Sequence, residues 1–258
     1  MTETSSPKYD HFKGSNAFQH LKDARLKGSK ATAEIHGTEA SGSLSAGADS
    51  AKETALILTA LWILLSPFLK IEDISLISAF FAVGFFIWKM GRSALLGWSR
   101  LERLHRLIEE ERWEIQHHRE QEKEELRAMY SQKGITGKLL DDVVEILMAD
   151  DNRLLQVMLE EELGLSLESY EHPLKQACGA GIGVLITVLI GAIGVFLGSF
   201  MGLIIAMGLS FALATIIISK KEGNETAKVL IWSLATATLS LGIVYFLAKL
   251  LRHLPGSY

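Results

Sequence analysis

One cysteine and four prolines are all that this chain of 258 residues holds of either type. A single Cys178 cannot close an internal disulfide, and it stands at the head of an apolar run rather than beside other ligand types, so a disulfide framework is excluded. Charge is missing over a long stretch as well: residues 178–219 contain no Asp, Glu, Lys, Arg or His. One helix of that length would run roughly 63 Å, about twice a bilayer core of ~30 Å, so it must fold back once. The amino terminus lacks an apolar core, which excludes a secretory signal; residues 1–40 read as a disordered or weakly helical tail.

What is present is segregated. The fold-back is expected near Gly198–Gly202, leaving one span at about 176–197 and another at about 201–219. Val229–Leu251 forms a further apolar run, with Lys249 near its end where a long side chain can snorkel. Ala55–Leu69 and Ile74–Trp88 are shorter; they reach membrane length by starting before Ala55 and by running past Lys89. The expected fold class is therefore all-α: a polytopic membrane protein with five transmembrane helices and a helical domain inserted between spans two and three, which the charge pattern below makes cytosolic and metal-binding. Its divisions are a polar tail at 1–42, spans one and two at 43–98, the insert at 99–172, spans three to five at 173–251 and a tail at 252–258. With five spans, the amino-terminal tail, the insert and the loop KKEGNETAK at 220–228 share one side. That side carries Lys8 to Lys30 and Lys220, Lys221 and Lys228, which makes it cytoplasmic, although Lys249 and Arg252 run mildly against this orientation.

The insert concentrates negative charge. It holds nineteen acids against ten Lys and Arg, while the whole chain has a net charge of −4. Such a module has little use for nucleic acid or anionic lipid, and cations are its natural partners. Apolar residues at 98, 101, 104, 107, 108 and 115 predict a helix that continues the second span, with a break near His117–Glu120. A second helix runs to about Gln132, closed by Lys133-Gly134; Thr136 opens a third, and Asp150 or Asp151 caps a fourth. The apolar faces of the last two are Leu139, Val143, Val144 and Leu147, and Leu154, Leu155 and Met158.

Three pairs fall on shared helix faces: Glu111 with Glu114, Glu122 with Glu125, and Met158 with Glu162. Turned inward, they would form a pocket of carboxylates with one thioether, suited to a divalent cation of intermediate softness such as Fe²⁺ or Mn²⁺. The plainer reading is that Glu-rich helices are solvated faces. Glu102-x-x-His105 and Glu114-x-x-His117 match the spacing of di-iron bundles, but both lie on one helix where such a centre needs two, and His117–His118 read as surface residues. The glycines at 179, 181 and 183 follow no strand and lie in apolar surroundings, so they read as helix-packing positions rather than a nucleotide loop.

The run EKEELRAMYSQKGITGKLLDDVVEILMADDNRLLQVMLEEELGL at 122–165 resembles the cytosolic domain of the vacuolar iron transporter family. The resemblance covers about residues 100–172 and agrees with five spans. It implies a homodimer that exchanges Fe²⁺ or Mn²⁺, among divalent transition metals, for protons, with no tightly bound cofactor and no enzymatic activity. By position the family's metal ligands fall on Glu111, Glu114, Glu122, Glu125, Met158 and Glu162; Leu159 stands where the family has a second Met. Spans one and two depart further. Gly47-Ala48-Asp49-Ser50 stands in place of an Asp-Gly step, and Lys89-Met90-Gly91-Arg92 puts Arg where the family has Glu. Family third spans usually contain prolines, and none lies between Pro173 and Pro255 here.

A transport path is left with Asp49, Glu53 and Met90. Against it stands the alternative that both acids form the amino-terminal turn of a later-starting helix, favoured by its dipole, and that Met90 packs. Lys89 and Arg92 are expected to snorkel at the cytoplasmic boundary, and would hinder a cation if they faced the path. Two functions follow: a transporter that moves Fe²⁺ or Mn²⁺ out of the cytosol, or a membrane-anchored metal-binding or assembly protein that does not transport. The compact chain without a targeting segment points to a bacterial cell membrane rather than an organelle.

Overall fold

The computed structural model describes residues 19, 21–22, 41–165 and 171–252, so the expectations for the rest of the two tails lie outside the described residues. Among the described residues there are helices and no strands. They are α1 (Gly42–Leu65), α2 (Ile71–His117), α3 (Arg119–Gln132), α4 (Lys138–Met148), α5 (Asp151–Val157), a π-helical segment at Met158–Glu162, α6 (Pro173–Lys221) and α7 (Thr226–Arg252). The chain divides into two compact units: residues 99–170 with 1–33, and residues 34–98 with 171–258.

In the membrane-grade unit, α2, α6 and α7 are long and apolar enough to cross a membrane. Large apolar side chains such as Phe196, Trp232 and Phe246 lie on its outside, as lipid-facing helices require. α1, expected to hold the first span, carries Asp49, Lys52 and Glu53 and is not among the helices that meet this measure. α6 is two arms: Gly198 and Ser199 leave helical geometry, Ser199 with a φ of 52°, at the expected fold-back. The arms are drawn together at Gly194, where an added Cβ would lie 2.5 Å from the Gly202 carbonyl oxygen. The same device seats α1 on the first arm, since a Cβ on Gly183 would strike the Gly47 carbonyl. Buried Ala55, Leu58, Trp62, Ile74, Leu203 and Met207 complete this core. Where α1 begins, the Glu171 carboxylate accepts from Ser43 N at 2.5 Å and from Ser43 Oγ at 2.8 Å.

In the polar unit, the boundaries track local chemistry. The expected break is at His118, between α2 and α3. α3 ends at Gln132, and Gly134 takes a φ of 87°, a conformation open to glycine at little cost. Asp150 caps α5 by accepting from Arg153 N at 2.8 Å. The third helix starts at Lys138 rather than Thr136, because Gly137 at φ 63° lies outside helical geometry. One facing residue also differs from expectation: Leu139 is 60% exposed, and Leu140 packs with Val144 and Leu147. The core comprises Leu104, Ile115, Leu126, Met129, Val144, Leu154 and Leu155, and Leu21 joins it from the amino-terminal region.

Candidate metal centre

Four carboxylates enter that core. Glu111 lies in the last two turns of α2, Glu122 and Glu125 in the first two turns of α3, and Glu162 at the end of the π-helical segment. All four are buried, Glu122 and Glu125 completely. One carboxylate oxygen each from Glu111, Glu122 and Glu162 lies within 4.8 Å of the others, and no other such group of three or more acids, His or Cys occurs among the described residues. Two oxygens across a divalent cation at ~2.2 Å stand about 4.4 Å apart, so this is a spacing that one ion can bridge.

The local sequence explains the convergence. α3 turns its Glu122–Glu125–Leu126–Met129 side inward, so the acids share a stripe with core residues. The π-helical segment carries Met158, Leu159 and Glu162, all buried, and Leu163 N donates to Met158 O at 3.1 Å to close the wide turn. Such segments recur at functional sites because they aim side chains that an α-helix would spread differently. The Met158 side chain is fully buried in the apolar core of the same unit, and Leu159 is 2% exposed.

The electrostatics are those of acids crowded out of water. Burial is the largest cause pushing the Glu122 carboxyl up to about 10, followed by the charges of Glu111, Glu125, Glu162 and Glu114. Glu111 is raised likewise, by burial first and then by Glu162, Glu114, Glu125 and Glu110. Burial also raises Glu125, while a hydrogen bond with the Glu162 side chain pulls the other way. A hydrogen bond between two carboxyl groups needs a proton between them. Glu111 Oε1 is buried and makes no hydrogen bond. At neutral pH this arrangement holds protons or a cation, and binding the cation would release the protons. Glu114 is half-buried; it acts on the cluster through its charge. His117 is exposed, its Nδ1 2.8 Å from Trp113 O and its ring stacked on Trp113.

The three residues expected in a transport path are arranged differently. Asp49 and Glu53 lie well inside α1, which has no acid in its first turn, so the helix-terminus alternative does not describe them. Asp49 Oδ1 is 2.7 Å from Lys52 Nζ, and Glu53 Oε2 is 2.9 Å from Lys89 Nζ. Lys89 is buried rather than snorkelling, because it is held by Glu53. Met90 packs on the neighbouring helix, its Sδ 3.0 Å from the position of a Cβ on Gly181. The Lys52 pairing was legible as an i, i+3 contact; the Lys89 pairing joins residues far apart in sequence and had no local signal. A separate cavity of about 730 Å³ lies between α1 and the arms of α6 and is lined mainly by apolar groups, with none of Asp49, Glu53 or Met90 among them.

One unit has the long apolar helices of an integral membrane protein, and the other a buried acidic cluster with the spacing to hold a metal ion. The sequence profile of the VIT family matches residues 97–247, more than half of the chain. The chain belongs to this family, the vacuolar iron transporter family, whose members are membrane transporters of metal ions rather than enzymes. No curated protein matches the chain.

Proposed function

We propose that this protein moves a divalent transition metal, Fe²⁺ or Mn²⁺, out of the cytosol in exchange for protons. In this reading five spans cross a bacterial cell membrane, the insert and amino terminus are cytoplasmic, and two copies pair. Glu111, Glu122, Glu125 and Glu162 collect the ion with the Met158 thioether, and Glu114 adds charge at the rim. Asp49, Glu53 and Met90 pass the ion across the membrane. The observation that carries the proposal is the convergence of the Glu111, Glu122 and Glu162 carboxylates within 4.8 Å inside an apolar core. Nothing gained in folding alone favours burying like charges together, whereas a cation turns the same arrangement into a binding site.

Metal uptake into proteoliposomes under an imposed pH gradient tests this, with Asp49→Ala as the comparison. Fe²⁺ or Mn²⁺ uptake that requires the gradient and fails in the variant is the expected result. Absence of flux from folded protein that still binds metal would refute transport. That outcome would leave the second reading, a membrane-anchored metal-binding protein, which the ion pairing of Asp49 and Glu53 favours. Cells that become sensitive to iron or manganese when the gene is removed would argue against this second reading.

A further inference from the structure

Both carboxylates assigned to the transport path already face an ammonium, and the two pairs differ in kind. Lys52 lies one helical turn from Asp49 on α1, and both side chains are partly exposed, at 25% and 22%. Lys89 reaches Glu53 from a different helix, and only 6% of its side chain is exposed while 47% of the Glu53 side chain is. A lysine with a flexible four-carbon stem ordinarily extends until its charge is solvated. This one does the opposite. Its Nζ donates to Glu53 Oε2 at 2.9 Å, and a buried ammonium needs such a partner.

The four formal charges of Asp49, Glu53, Lys52 and Lys89 sum to zero, so this part of the path offers a divalent cation no net attraction. The ammonium also takes up space. An ion bound at Glu53 Oε2 on the side facing Lys89, at a metal–oxygen distance of about 2.0–2.6 Å, would overlap the position that Lys89 Nζ holds. A charged lysine has three donors and no lone pair, so it cannot ligate that ion; it can only compete with it. Met90, the next residue on α2, packs on Gly181 and leaves the carboxylate to Lys89.

We propose that Lys89 is a tethered cation that occupies the metal position at Glu53 and sets how tightly that position holds a divalent ion. The inference rests on the path reading given above. On this account Lys89 determines the affinity and selectivity of the path: an incoming divalent cation must displace it, and weakly held monovalent ions do not.

Mn²⁺ binding by the full chain in lipid nanodiscs, followed by the Mn²⁺ EPR signal, tests this once the insert is silenced with E111Q and E122Q. In that background Lys89→Met should bind Mn²⁺ at least about tenfold tighter than the parent, since one competing positive charge is gone. Adding Glu53→Gln to Lys89→Met should return binding to the parental level, and Lys89→Arg, which keeps the charge, should stay there throughout. Lys89→Gln gives the same readout if Lys89→Met does not fold. Binding in Lys89→Met and Lys89→Gln no tighter than in the parent would overturn the proposal, as would an equal gain in Lys89→Arg. Flux measured with the insert intact separates the two readings. Tighter binding without gradient-driven Mn²⁺ uptake upholds the role of Lys89 and refutes transport. Uptake by the unaltered chain, with binding unmoved by Lys89→Met, does the reverse.

Discussion

Glu122 and Glu53 are both helix-borne glutamates, and they meet opposite surroundings. Burial first, and then the charges of the carboxylates around it, push the Glu122 carboxyl up to about 10. Glu53 is half-exposed and has a buried lysine drawn to it from another helix. The first environment stores a demand for positive charge, which a proton or a metal ion can meet. In the second that demand has been met by the protein itself. The acids alone therefore do not distinguish a metal site from a structural ion pair; the charges brought to them do.

Removing the demand in the polar unit should have the largest effect. The full chain carrying E111Q, E122Q and E162Q is expected to bind Fe²⁺ or Mn²⁺ roughly a thousandfold more weakly, about 4 kcal/mol, by calorimetry. Binding left unchanged would show that the convergence of these groups is only structural. Breaking the pair in the other unit comes next. Glu53→Gln strands the buried Lys89 ammonium and should cost about 3 kcal/mol of stability, at the low end for such pairs because Glu53 is half-exposed, read as a lowered melting temperature in detergent. A melting temperature equal to that of the parent would mean that Lys89 finds solvent.

Gly183→Ala puts a methyl group against the Gly47 carbonyl and should cost about 1–3 kcal/mol in the same assay, without altering metal affinity at the insert. The pH dependence of the metal-free protein follows from Glu122. Its folded pKa of about 10 stands above the ordinary 4.5, so between those values the folded state holds more protons than the unfolded chain. That stabilising contribution is full below the lower value and is lost as pH rises toward the upper one. Metal-free protein should accordingly lose about 3 kcal/mol between about pH 6 and about pH 8.5, and saturating Mn²⁺ should abolish the loss. The smallest effect belongs to Leu159→Met, which fits a buried position at a cost below about 1.5 kcal/mol and should tighten Fe²⁺ binding about threefold by supplying a second thioether.

Much of the insert was legible because its signals are local. The stop at Gln132 follows from Gly134, the start at Asp151 from the Asp150 cap, and the shared faces of Glu111 with Glu114, Glu122 with Glu125 and Met158 with Glu162 from helical spacing. The break in α6 was legible for the same reason, a charge-free run too long for one crossing with glycines at its middle. Other features had no local signal. The π-helical turn at Met158–Glu162 leaves no mark in a sequence that also suits an α-helix. Nothing local chooses Leu140 over Leu139, since Leu139 with Val143 and Leu140 with Val144 are equally spaced along the helix. Leu21 and Lys89 find partners remote in sequence, and spacing along one helix cannot reveal such meetings.

The sharp turn at Gly198 and Ser199 also bears on how the protein comes to be made. Closing a loop costs conformational entropy that grows with its length, and here the carbonyl contact between Gly194 and Gly202 closes a very short one. Pairings this local cost little entropy, so the α6 hairpin can close before contacts between distant segments do. α1 is synthesised long before it. The surface that receives Gly47, built from Gly179 and Gly183, does not exist until the ribosome has passed α6, so the helix bearing Asp49 and Glu53 waits in the nascent chain for a partner made later.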